Sequence, residues 1–298
     1  MGMVRLCVFM NGDRGLAVCN ALVAAGIDID AVYLPAAMLK KEVVVAPLAR
    51  LGLTVVGIEN VNDPAFIDSV AARRPDIFAV AGFSTIFSTD LLAIPRLGTL
   101  NLHAGRLPQY RGGSPLNWQI INGESEAGLS VIRMDAGIDT GNVMAAGLIP
   151  IHIDDTIADV HAKANAAFPA LVLDAIHRMT AGSPGERQDD RLAGYWHQRN
   201  DGDGRIVWER LNARAVHDLV RAITRPYNGA YCYLGDRMVR VFRTSLLNSF
   251  PVHGVPGRVV YLQGLGPLVI CQDKAILLDD YSISENNAQK LPNGAHLR

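Results

Sequence analysis

Short apolar runs alternate with amphipathic stretches along the first half of the chain. Two of those stretches, residues 16–26 and 63–75, have apolar positions at helical spacing, and the second opens with an Asp-Pro pair that favours a helix start. The apolar runs are short and bounded by turn residues, which predicts buried strands over residues 4–10, 29–35, 53–60, 76–83 and 99–104. Strands that alternate with helices in this way predict a parallel, doubly wound sheet.

The pattern changes in the second half. A helix over 115–123, two strands over 129–134 and 142–151, and a long helix over about 155–181 extend the first domain. A polar stretch with Gly and Pro then begins a predicted linker, and beyond it a helix over 212–223 precedes short, closely spaced strands. The predicted fold is therefore α/β. It has a Rossmann-like, mostly parallel sheet in residues 1–181, a linker over 182–203 and a smaller β-rich, OB-like domain over 204–298.

Composition narrows the class of partner. The chain is 49% hydrophobic with a formal net charge of -1, which gives no support for a nucleic-acid or acidic-membrane partner reached by bulk electrostatics. The four cysteines have no CxxC spacing, so they predict reduced thiols with neither a disulfide framework nor a zinc site. No secretory signal and no apolar run of about 18 residues is present, so we expect a cytoplasmic protein that holds no metal and does not span a membrane.

The usual nucleotide motifs are not matched. The turn after the first strand reads Asn11-Gly12-Asp13-Arg14-Gly15, which lacks the G-x-G-x-x-G spacing, and no acidic residue closes the second strand. A Walker sequence is also missing from the chain. Dinucleotide binding and phosphoryl transfer of the Walker type are therefore disfavoured.

The end of the fifth predicted strand carries unusual polar residues. Asn101 and His103 stand two positions apart in an extended segment, so both side chains point to the same face. Further along, Asp135 and Asp139 flank a glycine turn. An amide, an imidazole and a carboxylate suit acyl-type transfer without a covalent enzyme intermediate. Taken alone, an Asn-x-His strand is more often a hydrogen-bonded strand end than a catalytic pair, and two Asp residues around a glycine are usually an ordinary turn.

A resemblance to a known family resolves that ambiguity. The stretch "NLHAGRLPQYRGGSPLNWQIINGESEAGLSVIRMDAGIDTGNV" resembles the signature of the folate-dependent formyltransferases. The resemblance implies 10-formyltetrahydrofolate as the donor and a primary amine as the acceptor. It also implies that Asn101 holds the formyl oxygen, that His103 acts on the amine proton and that Asp139 supports His103. The chain departs from the family at Gly105-Arg106, where Ser-Leu is usual.

The same resemblance implies binding residues for both reactants. The pterin pocket would be formed by the loops "GFSTIF" and "MDAGIDTG", which hold six candidate residues: Phe83, Ser84, Thr85, Ile86, Asp135 and Gly137. Without the family, "GFSTIF" also fits a strand-to-helix turn capped by Ser84 or Thr85. The acceptor would meet six residues: Asn11, Gly12, Asp13, Tyr110, Arg111 and Gly112. A guanidinium at Arg111 suits a pyrophosphate, although a loop arginine is also typical of plain solvation.

The rest of the chain favours one class of acceptor. Residues 195–211 and 221–231 resemble the corresponding segments of sugar-nucleotide N-formyltransferases, with matches at Arg199, Asp203, Gly204 and Trp208. We therefore expect a nucleotide-linked amino sugar as acceptor, a product that enters lipopolysaccharide or another glycan, and a homodimer by family analogy. The main alternative is methionyl-tRNA formyltransferase. It usually carries a long basic insertion after the second strand, where this chain has only Lys40, Lys41 and Arg50.

Two further observations bear on the alternatives. Residues 204–298 hold twelve Arg and Lys against seven Asp and Glu, which is mildly basic but without a cluster for a tRNA backbone. A non-catalytic folate-binding protein is the alternative of another class. Such a protein would not need the amide, the imidazole and the carboxylate together. The two-domain plan and the start of the first strand near residue 4 also disfavour glycinamide ribonucleotide formyltransferases and formyltetrahydrofolate hydrolases.

Overall fold

The computed structural model describes residues 4–83, 85–247, 252–262, 264–284 and 290–298. The chain divides into two compact units, and both are discontinuous in sequence. The first consists of Met1–Pro115, Gly128–Ile149 and Ala162–Trp196. The second consists of Leu116–Ala127, Pro150–His161 and His197–Arg298.

The described residues form strands and α-helices with the following bounds. The strands are β1 (Arg5–Met10), β2 (Asp28–Pro35), β3 (Val55–Ile58), β4 (Ile77–Ala81), β5 (Gly98–His103), β6 (Arg111–Gly112), β7 (Glu126–Arg133), β8 (Val143–Pro150), β9 (Tyr195–Trp196), β10 (Ala230–Leu234), β11 (Arg237–Leu246), β12 (Val259–Tyr261), β13 (Pro267–Ile270) and β14 (Ala275–Ile283). The helices are α1 (Gly12–Ala24), α2 (Glu42–Arg50), α3 (Pro64–Ala71), α4 (Thr89–Leu92), α5 (Pro115–Ile121), α6 (Ile157–Thr180) and α7 (Ala213–Ile223).

The larger sheet has the order β3-β2-β1-β4-β5-β7-β8. Its first five strands run parallel to their neighbours, and β7 pairs antiparallel with β5. This confirms the predicted Rossmann-like, mostly parallel sheet. In β1 and β4 every residue from Leu6 to Met10 and from Ile77 to Ala81 is buried. Because successive side chains of a strand point to opposite faces, these two central strands are covered on both sides.

The carboxyl ends of the central strands define where a site can form. Asn11 follows β1 and Gly82 follows β4, and the amide of Asn11 donates to the carbonyl of Ala81 at 3.1 Å. His103 is the last residue of β5 and lies opposite Ser130 of β7. Ligands of open α/β sheets bind beyond these strand ends, so the polar residues of β5 lie at the edge where a ligand is expected.

The second unit confirms the predicted β-rich domain. Its five strands form an antiparallel sheet in the order β10-β11-β14-β13-β12. Helix α7 begins where Asn212 caps it, because the Asn212 side chain accepts a hydrogen bond from the amide of Ala215 at 2.7 Å. The OB-like closure of this sheet stays a prediction.

Two local features were not anticipated from the sequence. Helix α2 contains Pro47 and a run of three valines, both of which lower helix propensity. Its residues Val44 and Leu48 are buried, so packing of one helical face outweighs the local preference. Within 182–203, Tyr195–Trp196 forms β9 and pairs in parallel with β6. The proposed limits 1–181, 182–203 and 204–298 stay predictions. In the part of the chain that the structure describes, no helix is long and apolar enough to cross a membrane.

Candidate active site

The structure brings Asn101, His103 and Asp139 together. Asn101 Nδ2 lies 3.4 Å from Asp139 Oδ1, and His103 Nδ1 lies 3.5 Å from Asp139 Oδ2. Asn101 and His103 share one face of β5 because side chains alternate along a strand. Asp139 reaches them from the loop between β7 and β8, 38 positions along the chain from Asn101. An amide, an imidazole and a carboxylate therefore converge at the end of β5.

The β7–β8 loop is shaped by its own polar residues. Asp135 Oδ1 accepts hydrogen bonds from the amide of Gly137 at 3.0 Å and from Thr140 Oγ1 at 2.5 Å. A Cβ atom on Gly137 would overlap Thr140 Oγ1, so the turn requires glycine there. Asp139 itself has φ +52, a left-handed conformation that Asp and Asn tolerate better than most residues. Asp135 and Gly137 thus hold the conformation that presents Asp139.

The imidazole of His103 is held on both sides. Its side chain is 6% exposed, and Nε2 lies 2.6 Å from the carbonyl oxygen of Tyr110. A carbonyl only accepts hydrogen bonds, so Nε2 carries a proton in this arrangement. Nδ1 is then the nitrogen that faces Asp139. Gly105 lies against the ring, and a Cβ there would stand 2.5 Å from Nε2, which explains why this chain has glycine at that position.

Gly112 supplies a main-chain contact to the carboxylate. Its amide donates to Asp139 Oδ2 at 2.9 Å. Gly112 has φ +96, and a Cβ atom there would overlap the carbonyl oxygen of Trp196 on the paired strand β9. The Tyr110 ring stacks on Trp196, with ring centroids 5.5 Å apart. Gly112 and Tyr110 therefore support the site within the protein, and their predicted contact with the acceptor stays a prediction.

Arg111 is buried and fully engaged inside the protein. It is 2% exposed, and Nε donates to Gln188 Oε1 at 3.0 Å. Nη1 donates to the Tyr195 hydroxyl and Nη2 to Asp190 Oδ1, each at 2.8 Å. Burial alone would lower the pKa of Arg111, but the hydrogen bonds with Asp190 and Tyr195 outweigh it and raise the pKa. Each guanidinium nitrogen thus has a protein partner, and the predicted pyrophosphate contact of Arg111 stays a prediction.

Gln188 is a site residue that the sequence reasoning missed. Its Nε2 donates to the carbonyl oxygens of Asp139 at 2.8 Å and Gly141 at 2.7 Å, while its Oε1 accepts from Arg111. The side chain is 7% exposed, although it lies in a polar stretch that reads as solvated linker. A single glutamine 49 positions from Asp139 gives no periodic signal. The side chain connects buried Arg111 to the backbone that presents the carboxylate.

The predicted folate-binding loops meet an aromatic cluster. Phe83 is partly buried, and its ring centroid lies 6.1 Å from that of Phe87. Met134, at the start of the other loop, packs on the same cluster. Ile86 is 74% exposed and Ile138 is 57% exposed, so each loop presents a bare apolar side chain. Such side chains suit a flat apolar ring.

The other members of the predicted binding sets have separate positions. Thr85 is exposed, and Ser84 lies outside the described residues. Asn11 and Asp13 are exposed at the start of α1, and Gly12 has φ +67. The Asn11 side chain makes no capping hydrogen bond to α1. Among the described residues, no group of three or more His, Cys, Asp or Glu side chains is arranged to hold a metal ion.

Two family models match the chain. Residues 35–176 match the formyl transferase model, and residues 200–294 match the model of the formyl transferase C-terminal domain. The first includes Asn101, His103 and Asp139, and the second includes all five strands of the antiparallel sheet.

Several solved structures share the fold of this chain. An N-formyltransferase from Helicobacter canadensis in complex with folinic acid and dTDP-3-aminofucose is 17% identical, with a TM-score of 0.70 over 94% of this chain and 100% of that one. A methionyl-tRNA formyltransferase from Clostridium thermocellum is 15% identical, with a TM-score of 0.65 over 95% and 100%. HypX from Aquifex aeolicus in complex with tetrahydrofolic acid is 18% identical, with a TM-score of 0.66 over 98% of this chain. The chain spans only 46% of the length of HypX.

Proposed function

This chain belongs to the formyl transferase family, and on that premise we propose that it transfers a formyl group from 10-formyltetrahydrofolate to the primary amine of a nucleotide-linked amino sugar. The observation that carries the proposal is the convergence of Asn101 and His103 on Asp139, each with a side-chain nitrogen within 3.5 Å of a carboxylate oxygen. These three groups supply an oxyanion donor, a base and a carboxylate for acyl transfer to an amine.

The order of bond changes follows from those groups. The amine nitrogen attacks the formyl carbon, and the formyl oxygen becomes an oxyanion that the Asn101 amide stabilises. His103 Nδ1 accepts the proton that the amine loses, and the nearby Asp139 carboxylate stabilises the resulting imidazolium. The bond from the formyl carbon to N10 then breaks, and the imidazolium returns the proton to N10. The products are a formamide and tetrahydrofolate, and no bond to the enzyme forms.

The Tyr110 carbonyl sets which nitrogen acts as the base. Because Nε2 donates to this carbonyl at 2.6 Å, the lone pair of the neutral imidazole is on Nδ1. Gly112 donates to Asp139 and Gln188 donates to the backbone beside it, so the carboxylate keeps its position as the imidazole gains charge. Holding these groups before the reaction reduces the reorganisation that the transition state requires.

A folate donor is supported by the relatives and by the site loops. The Helicobacter canadensis enzyme was solved with folinic acid and HypX with tetrahydrofolic acid. In this chain, exposed Ile86 and Ile138 offer apolar contact to a pterin from two loops. We propose that Phe83, Thr85, Ile86, Asp135 and Gly137, with Ser84, line that part of the site.

An amino-sugar nucleotide is favoured over tRNA as the acceptor. The Helicobacter canadensis enzyme was solved with dTDP-3-aminofucose. Arginines of the second unit are partly neutralised within it: Arg225 pairs with Asp280 at 2.6 Å and Arg240 with Asp201 at 2.5 Å. Paired arginines release fewer counterions from a nucleic acid, so they weaken the case for tRNA. Asn11, Gly12 and Asp13 are the residues that we propose for the sugar side of the site.

The proposal has three further parts. The reaction takes place in the cytoplasm, the product enters lipopolysaccharide or another glycan, and the enzyme acts as a homodimer. The free, buried cysteines fit a reducing compartment. Sedimentation equilibrium of the purified protein tests the dimer directly.

A substrate panel tests the proposed function. The protein is given 10-formyltetrahydrofolate with UDP-, dTDP- and GDP-linked amino sugars, and in parallel with charged initiator methionyl-tRNA. We expect turnover of one amino-sugar nucleotide and none of the tRNA. Turnover of the tRNA alone would establish the methionyl-tRNA enzyme instead. Tight folate binding without turnover of any acceptor would establish the binding protein.

A further inference from the structure

A cavity of about 340 Å³ lies beside strands β7 and β8, within the first unit. It is lined by the loop that follows β5, by residues of β7 and β8 and by the segment 186–189. Leu107, Pro108, Leu129 and Leu148 give it apolar walls, and Arg106 and Arg187 supply two guanidinium groups. A volume of this size is within the range of small-molecule sites, which starts at about 300 Å³.

The guanidinium groups of the two arginines are not neutralised by any described residue of the protein. Over the ranges that the structure describes, neither the Arg106 nor the Arg187 side chain forms a hydrogen bond or an ion pair. Two carboxylates also line the cavity, but Asp189 is already paired with Arg191 at 2.7 Å. Glu186 is then the remaining carboxylate, so the lining is left with an excess of positive charge.

Arg106 occupies a place that the chain has made for it. A Cβ atom on Gly128 would stand 2.6 Å from Arg106 Cα, so glycine at 128 allows the backbone of Arg106 to pack directly on β7. The Arg106 carbonyl also accepts a hydrogen bond from the amide of Tyr110 at 2.8 Å. The chain therefore places a half-buried cation in the wall of the cavity.

We propose that this cavity binds an organic anion, a carboxylate or phosphate carried on an apolar body, through Arg106 and Arg187. Guanidinium groups match both anions with paired hydrogen bonds, and the leucine and proline walls take the apolar part. The inference rests on the proposed function only where it names the molecule that carries the anion. The donor has a benzoyl ring followed by glutamyl carboxylates, and the acceptor has a pyrophosphate. The apolar walls favour the donor.

The cavity shares walls with the site of the proposed reaction. Ser130 lines the cavity, and its Oγ donates to the carbonyl of Gly105 at 2.8 Å, beside the ring of His103. Gln188 lines it too and holds the carbonyl of Asp139. An anion bound here contacts the residues that position the imidazole and the carboxylate, so its carrier is expected to be a reactant.

Titration calorimetry of the wild-type protein, in low-salt buffer without substrates, tests the site. The probes are p-aminobenzoylglutamate, p-aminobenzamide and inorganic pyrophosphate. We expect p-aminobenzoylglutamate to bind, and Arg106→Leu and Arg187→Leu each to raise its Kd about tenfold, the loss expected for one charge-assisted contact. The matched control is Arg50→Leu at the end of α2, which removes a guanidinium that has no partner within the described ranges and lies outside the cavity lining.

The probes identify the source of the anion. If the glutamyl carboxylates are bound, the two variants weaken the binding of p-aminobenzoylglutamate and leave the binding of p-aminobenzamide, which has no carboxylate, unchanged. If a pyrophosphate is bound, the two variants weaken the binding of inorganic pyrophosphate. Either result supports the site. Equal binding of every probe by wild type and both variants, or no binding of any probe to wild type, overturns it.

Two design points keep the test independent of folding and of turnover. Arg187 is exposed, so its variant tests the site even if Arg106→Leu disturbs the packing on Gly128. The calorimetry needs no catalysis. Probe binding that depends on the arginines in a protein without transferase activity would defeat the proposed function alone. Full transferase activity with arginine-independent probe binding would defeat the cavity proposal alone.

Discussion

Arg106 in the loop after β5 and Arg111 at the start of β6 lie five positions apart, yet they have opposite surroundings. Arg111 is 2% exposed, and its three guanidinium nitrogens all donate to protein acceptors. Arg106 is half-buried beside a cavity and has no side-chain partner among the described residues. The sequence predicts a pyrophosphate contact for Arg111 and marks Arg106 only as a departure from the family pattern. The three hydrogen bonds of Arg111 indicate that it supports the protein. Arg106 has no such bonds among the described residues and remains available for a ligand.

The difference has a consequence for the site. Arg111 connects through Gln188 to the backbone of Asp139, so it acts on the carboxylate at a distance. Arg106 lines the cavity, and its hydrogen bond with Tyr110 is made by its backbone carbonyl, not by its side chain. Substitutions in the Arg111 network should therefore affect catalysis and stability, whereas substitution of Arg106 should affect ligand binding.

The largest effect is expected at Asp139, where the Arg111 network ends. We expect Asp139→Asn to lower kcat by about 10²- to 10⁴-fold, because the imidazolium loses its carboxylate. Asparagine tolerates the left-handed backbone at this position, so the loop keeps its shape. Steady-state kinetics measures the loss, and the Kd for tetrahydrofolate is the control. A variant with near-normal kcat would remove Asp139 from the mechanism.

A smaller effect is expected at Gln188. Gln188→Glu keeps the acceptor for Arg111 but cannot donate to the carbonyls of Asp139 and Gly141. We expect kcat to fall about tenfold, because the carboxylate loses its fixed position, with little change in the KM of either substrate. A matched rise in KM with unchanged kcat would assign Gln188 to binding and contradict a positioning role.

Unfolding experiments should distinguish the two arginines directly. Arg111→Leu leaves Gln188, Tyr195 and Asp190 without their donor, and we expect it to lower the free energy of unfolding by about 2–3 kcal/mol. Asp190 is largely exposed, which limits the loss. Arg106→Leu should stay within about 0.5 kcal/mol of wild type. Urea denaturation of both variants checks the order, and the reverse order would contradict the assignment of roles.

Much of the sheet and part of the site follow from sequence pattern. The five apolar runs become β1 to β5, and the period of two places Asn101 and His103 on one face. Asp139 reaches them from the β7–β8 loop, 38 positions along the chain from Asn101, and no local pattern encodes that approach. The residues alone gave Asp135 and Asp139 as joint candidates, and the family resemblance predicted Asp139 as the one that supports His103.

The rest of the site depends on long-range packing. Gln188 and Arg111 meet across 77 positions, and the polar stretch around Gln188 reads as a linker. A loop arginine also looks solvated until its partners are known. Helix α2 shows the same limit, because burial of Val44 and Leu48 outweighs the propensities of Pro47 and the valines.

The smallest effect concerns a buried group with neither a ligand nor a charged partner. Burial raises the pKa of the Cys19 thiol from 9.0 to about 12. The folded protein therefore keeps this proton above pH 9, whereas the unfolded chain releases it, so the free energy of unfolding falls as pH rises above about 9. Burial also raises the pKa of Cys7, Cys232 and Cys271, so denaturation of wild type and of Cys19→Ala between pH 8 and 10.5 measures the part of the decline that Cys19 contributes. Rapid thiol titration of the native protein at pH 8 would contradict the burial.

The most direct test of the central claim follows the formyl carbon itself. The protein is mixed with an accepted amino-sugar nucleotide and 10-formyltetrahydrofolate that carries ¹³C in the formyl group, and NMR records where the label appears. The account predicts a formamide signal on the sugar and an equal amount of tetrahydrofolate, with no transfer by His103→Ala. Label that appears as formate, or transfer that survives in His103→Ala, would contradict it.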